Sequence, residues 1–180
     1  MGDNFLLHVE SQHIPYKNGM QFPENALNLP KEDLEKRKIY YLDIVDGEPK
    51  DDKLNLQGFA CPEANIDTLK GKKGSYKHDQ VPEWTKNYNG DMICCIKVVK
   101  FHFKWGGLQK TVESMLTKKT YPKIFTESHR KLIASAKEWY HLSTNDIEKM
   151  EKEAKDKQNG GEEFEKDDDW NLLICFYIYI

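Results

Sequence analysis

Little in this chain announces covalent chemistry. Four cysteines (Cys61, Cys94, Cys95 and Cys175) and six histidines are present, but neither set has metal-ligand spacing. The cysteines also lack a redox spacing, which argues against a structural zinc or a dithiol centre. G-x-S-x-G, H-E-x-x-H and C-x-x-C are all missing, so the common hydrolase and metalloprotease arrangements are excluded. "GKKGS" at 71–75 falls short of G-x-x-x-x-G-K-[ST] and reads as a solvated loop. Positive charge is not in surplus: 27 Lys and Arg against 30 Asp and Glu give a net charge of −3 and a pI near 6.1. A general nucleic-acid binder is therefore not expected. No apolar run approaches the ~20 residues of a membrane-spanning helix, and none follows Met1 as a secretory signal would. Reduced thiols and a cytoplasmic location are the resulting expectation. No internal repeat is visible.

What is present is patterning. At 38% hydrophobic and 32% charged, 180 residues suffice for one domain with a real core. "NFLLHVESQ" alternates, with Phe5, Leu7, Val9 and Ser11 on one face and Leu6, His8, Glu10 and Gln12 on the other. Residues 13–30 read as loop, "PKEDLEKRK" as a short helix opening at Pro30, and "IYYLDIVD" as a strand. "MICCIKVVKFHFKW" is the longest strand candidate, with Val99, Phe101, Phe103 and Trp105 sharing a face. The pair Gly106-Gly107 ends it. An amphipathic helix follows to about Thr120, carrying Leu108, Val112, Met115 and Leu116, and Pro122 should kink or split it. A second helical run places Phe125, His129, Leu132, Ala136, Trp139 and Tyr140 on one stripe. "LSTNDIEKMEKEAKDK" opens with Ser143 or Thr144 as N-cap and carries an Ile147, Met150, Ala154 stripe. The order of elements predicts an α+β domain with helices laid across a sheet. The tail "WNLLICFYIYI", after the acidic "GGEEFEKDDD", has three readings: not a natural domain end, a core strand, or a membrane contact. Its linker-like approach predicts a place outside the main fold.

Three polar residues interrupt apolar faces. Lys97 lies on the Val99/Phe101 face, Ser11 on the Leu7/Val9 face, and Glu151 borders the Ile147/Met150 stripe. Each has an ordinary reading: a lysine snorkelling from a strand end, a hydroxyl bonded to backbone, a solvated stripe-edge carboxylate. Together, a cation, a hydroxyl and a carboxylate facing one apolar space suit a phosphate with a hydroxylated head group.

From "KFHFKWGGLQKTVE" through "IFTESHRKLIASAKEWYHLSTNDIEKMEKE", the sequence resembles the phosphatidylinositol transfer protein family, with weaker matches at "FLLHVES", "YYLDIVD" and "VPEWTKN". The resemblance implies a START-like helix-grip fold, in which a curved antiparallel sheet and long C-terminal helices enclose one phospholipid carried between membranes. It implies that Lys97 lies near the lipid phosphate, that Ser11 stands for a family threonine beside it, and that Glu151 meets the inositol ring. Thr68 matches a regulatory-loop position. Trp105 matches the first of two membrane-docking tryptophans, with Gly106 in the place of the second. Ser128 replaces a common aromatic, and one residue is inserted near Tyr121-Pro122. Relative to the family, the N-terminal strands are missing, so residues 1–158 would form a partial lipid-binding domain and 159–180 an acidic linker with a non-family apolar tail.

The expectation is therefore a monomeric protein, cytoplasmic and peripheral at membranes. It would bind and transfer phosphatidylinositol and phosphatidylcholine in an enclosed apolar cavity, with no cofactor, metal, nucleic acid or enzymatic step. Two alternatives stay open: a non-transferring interaction module, and a START-like enzyme, for which only His129 and Glu151 offer acid–base groups.

Overall fold

The computed structural model describes residues 5–17, 20–21, 23–72, 80–103, 107–158 and 172–179, the side chains of 5–6, 102–103, 156–158 and 172–179 excepted. Four strands form one sheet in the order β1-β3-β4-β2: β1 Phe5–Tyr16, β2 Lys38–Leu42, β3 Met92–Phe103 and β4 Leu172–Tyr179. β1 and β3 run antiparallel in full register, from Phe5 opposite Phe103 to Tyr16 opposite Met92. β4 is antiparallel to β3 and parallel to β2. The α+β class is as predicted.

β3 is buried on both faces. Cys94, Ile96 and Val98 point one way and Cys95, Val99 and Phe101 the other, all six buried. A partly buried ion pair of 3.1 Å between Lys100 and Asp33 ties helix α1 (Lys31–Lys36) to the first face. The second face receives the main helical segment: α2 (Gln109–Met115), a π turn (Leu116–Thr120) and α3 (Tyr121–Ala134). Gly107, at φ +82°, takes up the left-handed turn leading into α2. Pro122 does not split the segment. It sits in the first turn of α3, where no N–H is needed, and the π turn just before it holds one more residue than an α turn would.

Several boundaries differ from expectation. β1 continues through His13 and Ile14 to Tyr16 instead of ending in a loop. β2 stops at Leu42 because the Asp43 carboxylate turns back on its own chain, accepting the backbone N–H groups of Val45 (2.8 Å) and Asp46 (2.9 Å). Gly71 packs against that turn; a Cβ there would lie 2.7 Å from Val45 Cγ1. Within α3 the buried arc runs through His129, Arg130 and Ile133, which leaves Leu132 of the predicted stripe exposed; beyond Ala134 the helix breaks at Ser135 and restarts as α4 (Ala136–Trp139), with Ala136 buried and Tyr140 exposed. Of the residues assigned to the apolar face before Pro122, Leu108 and Met115 are likewise exposed.

The largest difference concerns the tail. Residues 172–179 lie inside the sheet, between β3 and β2, rather than outside the main fold. β2 is joined to the sheet through β4, with Lys38–Leu42 opposite Ile174–Ile178.

Candidate functional site

The site is built where β1 and β3 face α3. Ser11 and Lys97 are register partners, so both side chains stand on the same face, and Lys97 Nζ donates to Ser11 Oγ at 2.9 Å. The same Nζ sits 5.6 Å from the Phe125 ring centroid, where the π face stabilises the cation. Cys95, two residues before Lys97, hydrogen-bonds to it; burial pushes the thiol pKa up and the lysine opposes that rise. His13 is the register partner of Cys95, placing a second basic group beside the pair.

His129 closes this cluster from α3. Its Nδ1 lies 2.7 Å from the Phe125 carbonyl oxygen, which can only accept, so Nδ1 carries the proton. Burial holds the imidazole pKa below its ordinary value; the Phe125 carbonyl acts the other way, and the nearby Lys97 and His13 add to the lowering. The imidazole is thus held neutral with its acceptor at Nε2. It packs in the helix, as the sequence suggests.

Beside this polar cluster the sheet is apolar and half open. Val99 and Phe101 are fully buried on the Lys97 face, whereas their register partners Val9 and Leu7 are 42% and 44% exposed. A lysine and a hydroxyl therefore stand at the end of an uncovered apolar strip. Such an arrangement can hold an anionic group by charge and hydrogen bond while apolar substituents cover the strip.

The other predicted residues are not gathered here. Glu151 is exposed on α5 (Thr144–Gln158) and makes no contact with Lys97 or Ser11 among the described residues. The N-cap expectation is met. Ser143 Oγ and the Asp146 carboxylate exchange bonds, with Ser143 N donating to Asp146 Oδ2 at 3.0 Å and Asp146 N to Ser143 Oγ at 3.3 Å. The stripe on α5 is uncovered, however: Ile147 and Met150 are both exposed. Thr68 is exposed in the loop after Cys61 and lines a polar cavity of about 360 Å³ with Asp67, Lys70, Asn87 and Tyr88. Trp105 and Gly106 lie outside the described residues.

Sequence reasoning missed a buried network behind α3. Arg130 Nε donates to the Ile44 carbonyl at 2.8 Å and Nη2 to the Asp46 carbonyl at 2.5 Å. Trp84 Nε1 donates to Asp43 Oδ1 at 2.9 Å. Between these elements lies an apolar cavity of about 210 Å³, lined by Ile44, Leu69, Trp84, Tyr88, Ile133 and Trp139. No group of three or more His, Cys, Asp or Glu side chains able to hold a metal occurs among the described residues. No described helix is long and apolar enough to cross a membrane.

Comparison with known proteins agrees with the resemblance. Residues 1–156 match the sequence model of the family described as phosphatidylinositol transfer protein. "Phosphatidylinositol transfer protein 2" of Dictyostelium discoideum is 28% identical over 154 residues, covering 86% of this chain and 55% of the relative. The "phosphatidylinositol transfer protein beta isoform" of Bos taurus is 31% identical over 156 residues, covering 85% and 54%, and that of Homo sapiens is 30% identical over the same length and shares. The chain spans about half the length of the curated relatives it matches. The chain belongs to the phosphatidylinositol transfer protein family.

Proposed function

We propose that this chain binds a phospholipid at the Lys97–Ser11 pair and transfers it between membranes, without covalent chemistry or a cofactor. The observation that carries the reading is the hydrogen-bonded lysine and serine at the end of the open Leu7/Val9 strip. Lys97 pairs with the lipid phosphate, Ser11 donates a hydrogen bond to it, and the acyl chains cover the exposed Val9 and Leu7 in the manner of a helix-grip cavity. Because the phosphate is common to both head groups, phosphatidylinositol and phosphatidylcholine are both ligands. Glu151 accepts from inositol hydroxyls only once α5 has closed over the site. Trp105 meets the membrane during exchange, with Gly106 leaving it unaided. The protein acts as a cytoplasmic monomer that visits membrane surfaces, and Thr68 stands where the loop is open to modification.

The test is a transfer assay with labelled phosphatidylinositol and phosphatidylcholine. Lys97→Ala is expected to abolish transfer of both lipids, and Glu151→Ala to reduce that of phosphatidylinositol selectively. Unchanged transfer in Lys97→Ala refutes the phosphate assignment; equal loss of both lipids in Glu151→Ala refutes the inositol one. A second reading, a non-transferring interaction module, is favoured by the uncovered Leu7/Val9 strip and the exposed α5 stripe. Native mass spectrometry separates the two, since a co-purified phospholipid supports transfer and a lipid-free chain supports the module.

A further inference from the structure

The His129 imidazole stands one step behind Lys97 and is not used by the reading above. Phe125 joins the two: its carbonyl oxygen is 2.7 Å from His129 Nδ1 and its ring centroid 5.6 Å from Lys97 Nζ. The imidazole feels the charges of Lys97 on β3 and His13 on β1, and within α3 Ser128 Oγ is 3.5 Å from Nδ1. The β4 positions in register with Lys97 and Cys95 are Phe176 and Ile178, neither of which ionises. Arg130, next in sequence, spends its Nε and Nη2 on the Ile44 and Asp46 carbonyls. No carboxylate belongs to this set among the described residues, so the Lys97 charge has no anion beside it there. Nδ1–H is held by the Phe125 carbonyl, which leaves Nε2 to receive a proton without breaking that bond.

We propose that capture of a phosphodiester at Lys97 is coupled to proton uptake by His129, so that the imidazolium becomes a second cation of the headgroup site. The inference rests on the phospholipid reading. The anion cancels the Lys97 charge that repels a protonated ring and adds an attraction, so the ring binds its proton more tightly in the complex than in the free protein. That the free imidazole is held below its ordinary pKa by burial, with Lys97 and His13 contributing, agrees with this order. By linkage, affinity rises as pH falls through the bound-state value and levels off below the free-state value. The slope between them is at most about tenfold per pH unit for one proton.

The experiment is isothermal titration of dihexanoylphosphatidylinositol into the full chain, in two buffers of different ionisation enthalpy, across pH 5.5–8. Proton uptake is expected in wild type and in His13→Gln, and its loss in His129→Gln with lipid still bound. Uptake retained in His129→Gln, or lost in His13→Gln alone, overturns the proposal and assigns the proton elsewhere. Glycerophosphoinositol, the head group without acyl chains, is the second titrant. Uptake with weaker binding supports a lipid site, whereas equal affinity assigns the site to a soluble phosphodiester and overturns the lipid reading alone. A ligand-independent arm follows the His129 ring nitrogens by NMR in wild type and Lys97→Met, with circular dichroism to verify the fold. The His129 pKa is expected to rise in the variant; no change overturns the coupling whether or not lipid binds. A rise without any lipid binding in wild type supports the charge coupling and refutes the phospholipid reading.

Discussion

Asp43 should make the protein less stable at neutral pH than it needs to be. Its side chain is 1% exposed, and one oxygen, Oδ1, accepts from Val45 N, Asp46 N and Trp84 Nε1. The other, Oδ2, is buried with no hydrogen-bond partner among the described residues. Burial raises the carboxyl pKa from 3.8 to about 6; the backbone N–H groups of Asp46 and Val45 pull it down, the Asp46 charge adds to the rise, and Trp84 opposes it. A rise of that size corresponds to about 3 kcal/mol of preference for the neutral form in the folded state. A folded-state value above the unfolded one gives stability that is fully present below pH 3.8 and lost as pH climbs through about 6. Asp43→Asn keeps the acceptor at Oδ1 and removes the charge, so it mimics the protonated acid. Urea unfolding of both proteins from pH 4 to pH 8 is the assay, and the difference between them cancels the titrating groups that do not interact with Asp43, leaving Asp43 and the Asp46 charge beside it. The variant is expected to match wild type near pH 4 and to exceed it by up to about 3 kcal/mol above pH 7. A flat difference across that range, or a less stable variant at pH 7, refutes the reasoning.

The same region supplies a second prediction. Arg130→Met removes both donors from the Ile44 and Asp46 carbonyls and is expected to cost about 3 kcal/mol in denaturant unfolding, since a buried carbonyl left short costs about 1–3 kcal/mol. A loss below 1 kcal/mol would mean that these carbonyls find other donors. For the tail, deleting residues 159–180 removes β4, the neighbour that joins β2 to the sheet. Hydrogen exchange is expected to show lost protection at Lys38–Leu42 and retained protection along the β1–β3 pair; unchanged exchange in β2 would count against β4 as its partner.

How much of this was legible depends on whether the signal was local. β3 announced itself, because its twelve residues combine β-branched Ile93, Ile96, Val98 and Val99 with aromatic Phe101 and Phe103 in a pattern that favours an extended strand. Lys97 and Ser11 were legible because each broke an apolar face, and register then brought the two exceptions together. The end of β2 was not, since "IYYLDIVD" keeps strand composition while the Asp43 side chain imposes a turn. Nor was the place of β4: an unbroken apolar run shows that a segment seeks burial, but which strand receives it is decided by long-range pairing. The stripe drawn from Phe125 to Tyr140 failed at two residues: Leu132, because the buried arc of α3 passes through Arg130 and Ile133 instead, and Tyr140, because a single helical phase does not continue across Ser135. Arg130 was invisible for a related reason. Next to His129 in sequence, it shares the buried arc of α3 only because the loop after β2 lies against that side.

The α5 stripe gives the sharpest version of this limit. Ile147, Met150 and Ala154 have helical spacing, and the Ser143–Asp146 cap starts the helix where the sequence says it should. Spacing states what a helix is able to bury, not what lies against it, and here Ile147 and Met150 remain exposed. Glu151 borders that same stripe. A role for Glu151 at the head group therefore requires α5 to move toward Lys97, and the movement that delivers the carboxylate would also bring the stripe toward the open Leu7/Val9 strip. The two events are one event physically: each buried methylene contributes about 0.8 kcal/mol toward closing, and the carboxylate is carried along by the helix. An inositol contact made with the stripe still in water would contradict that coupling, because nothing else in the described structure would then hold α5 against the site.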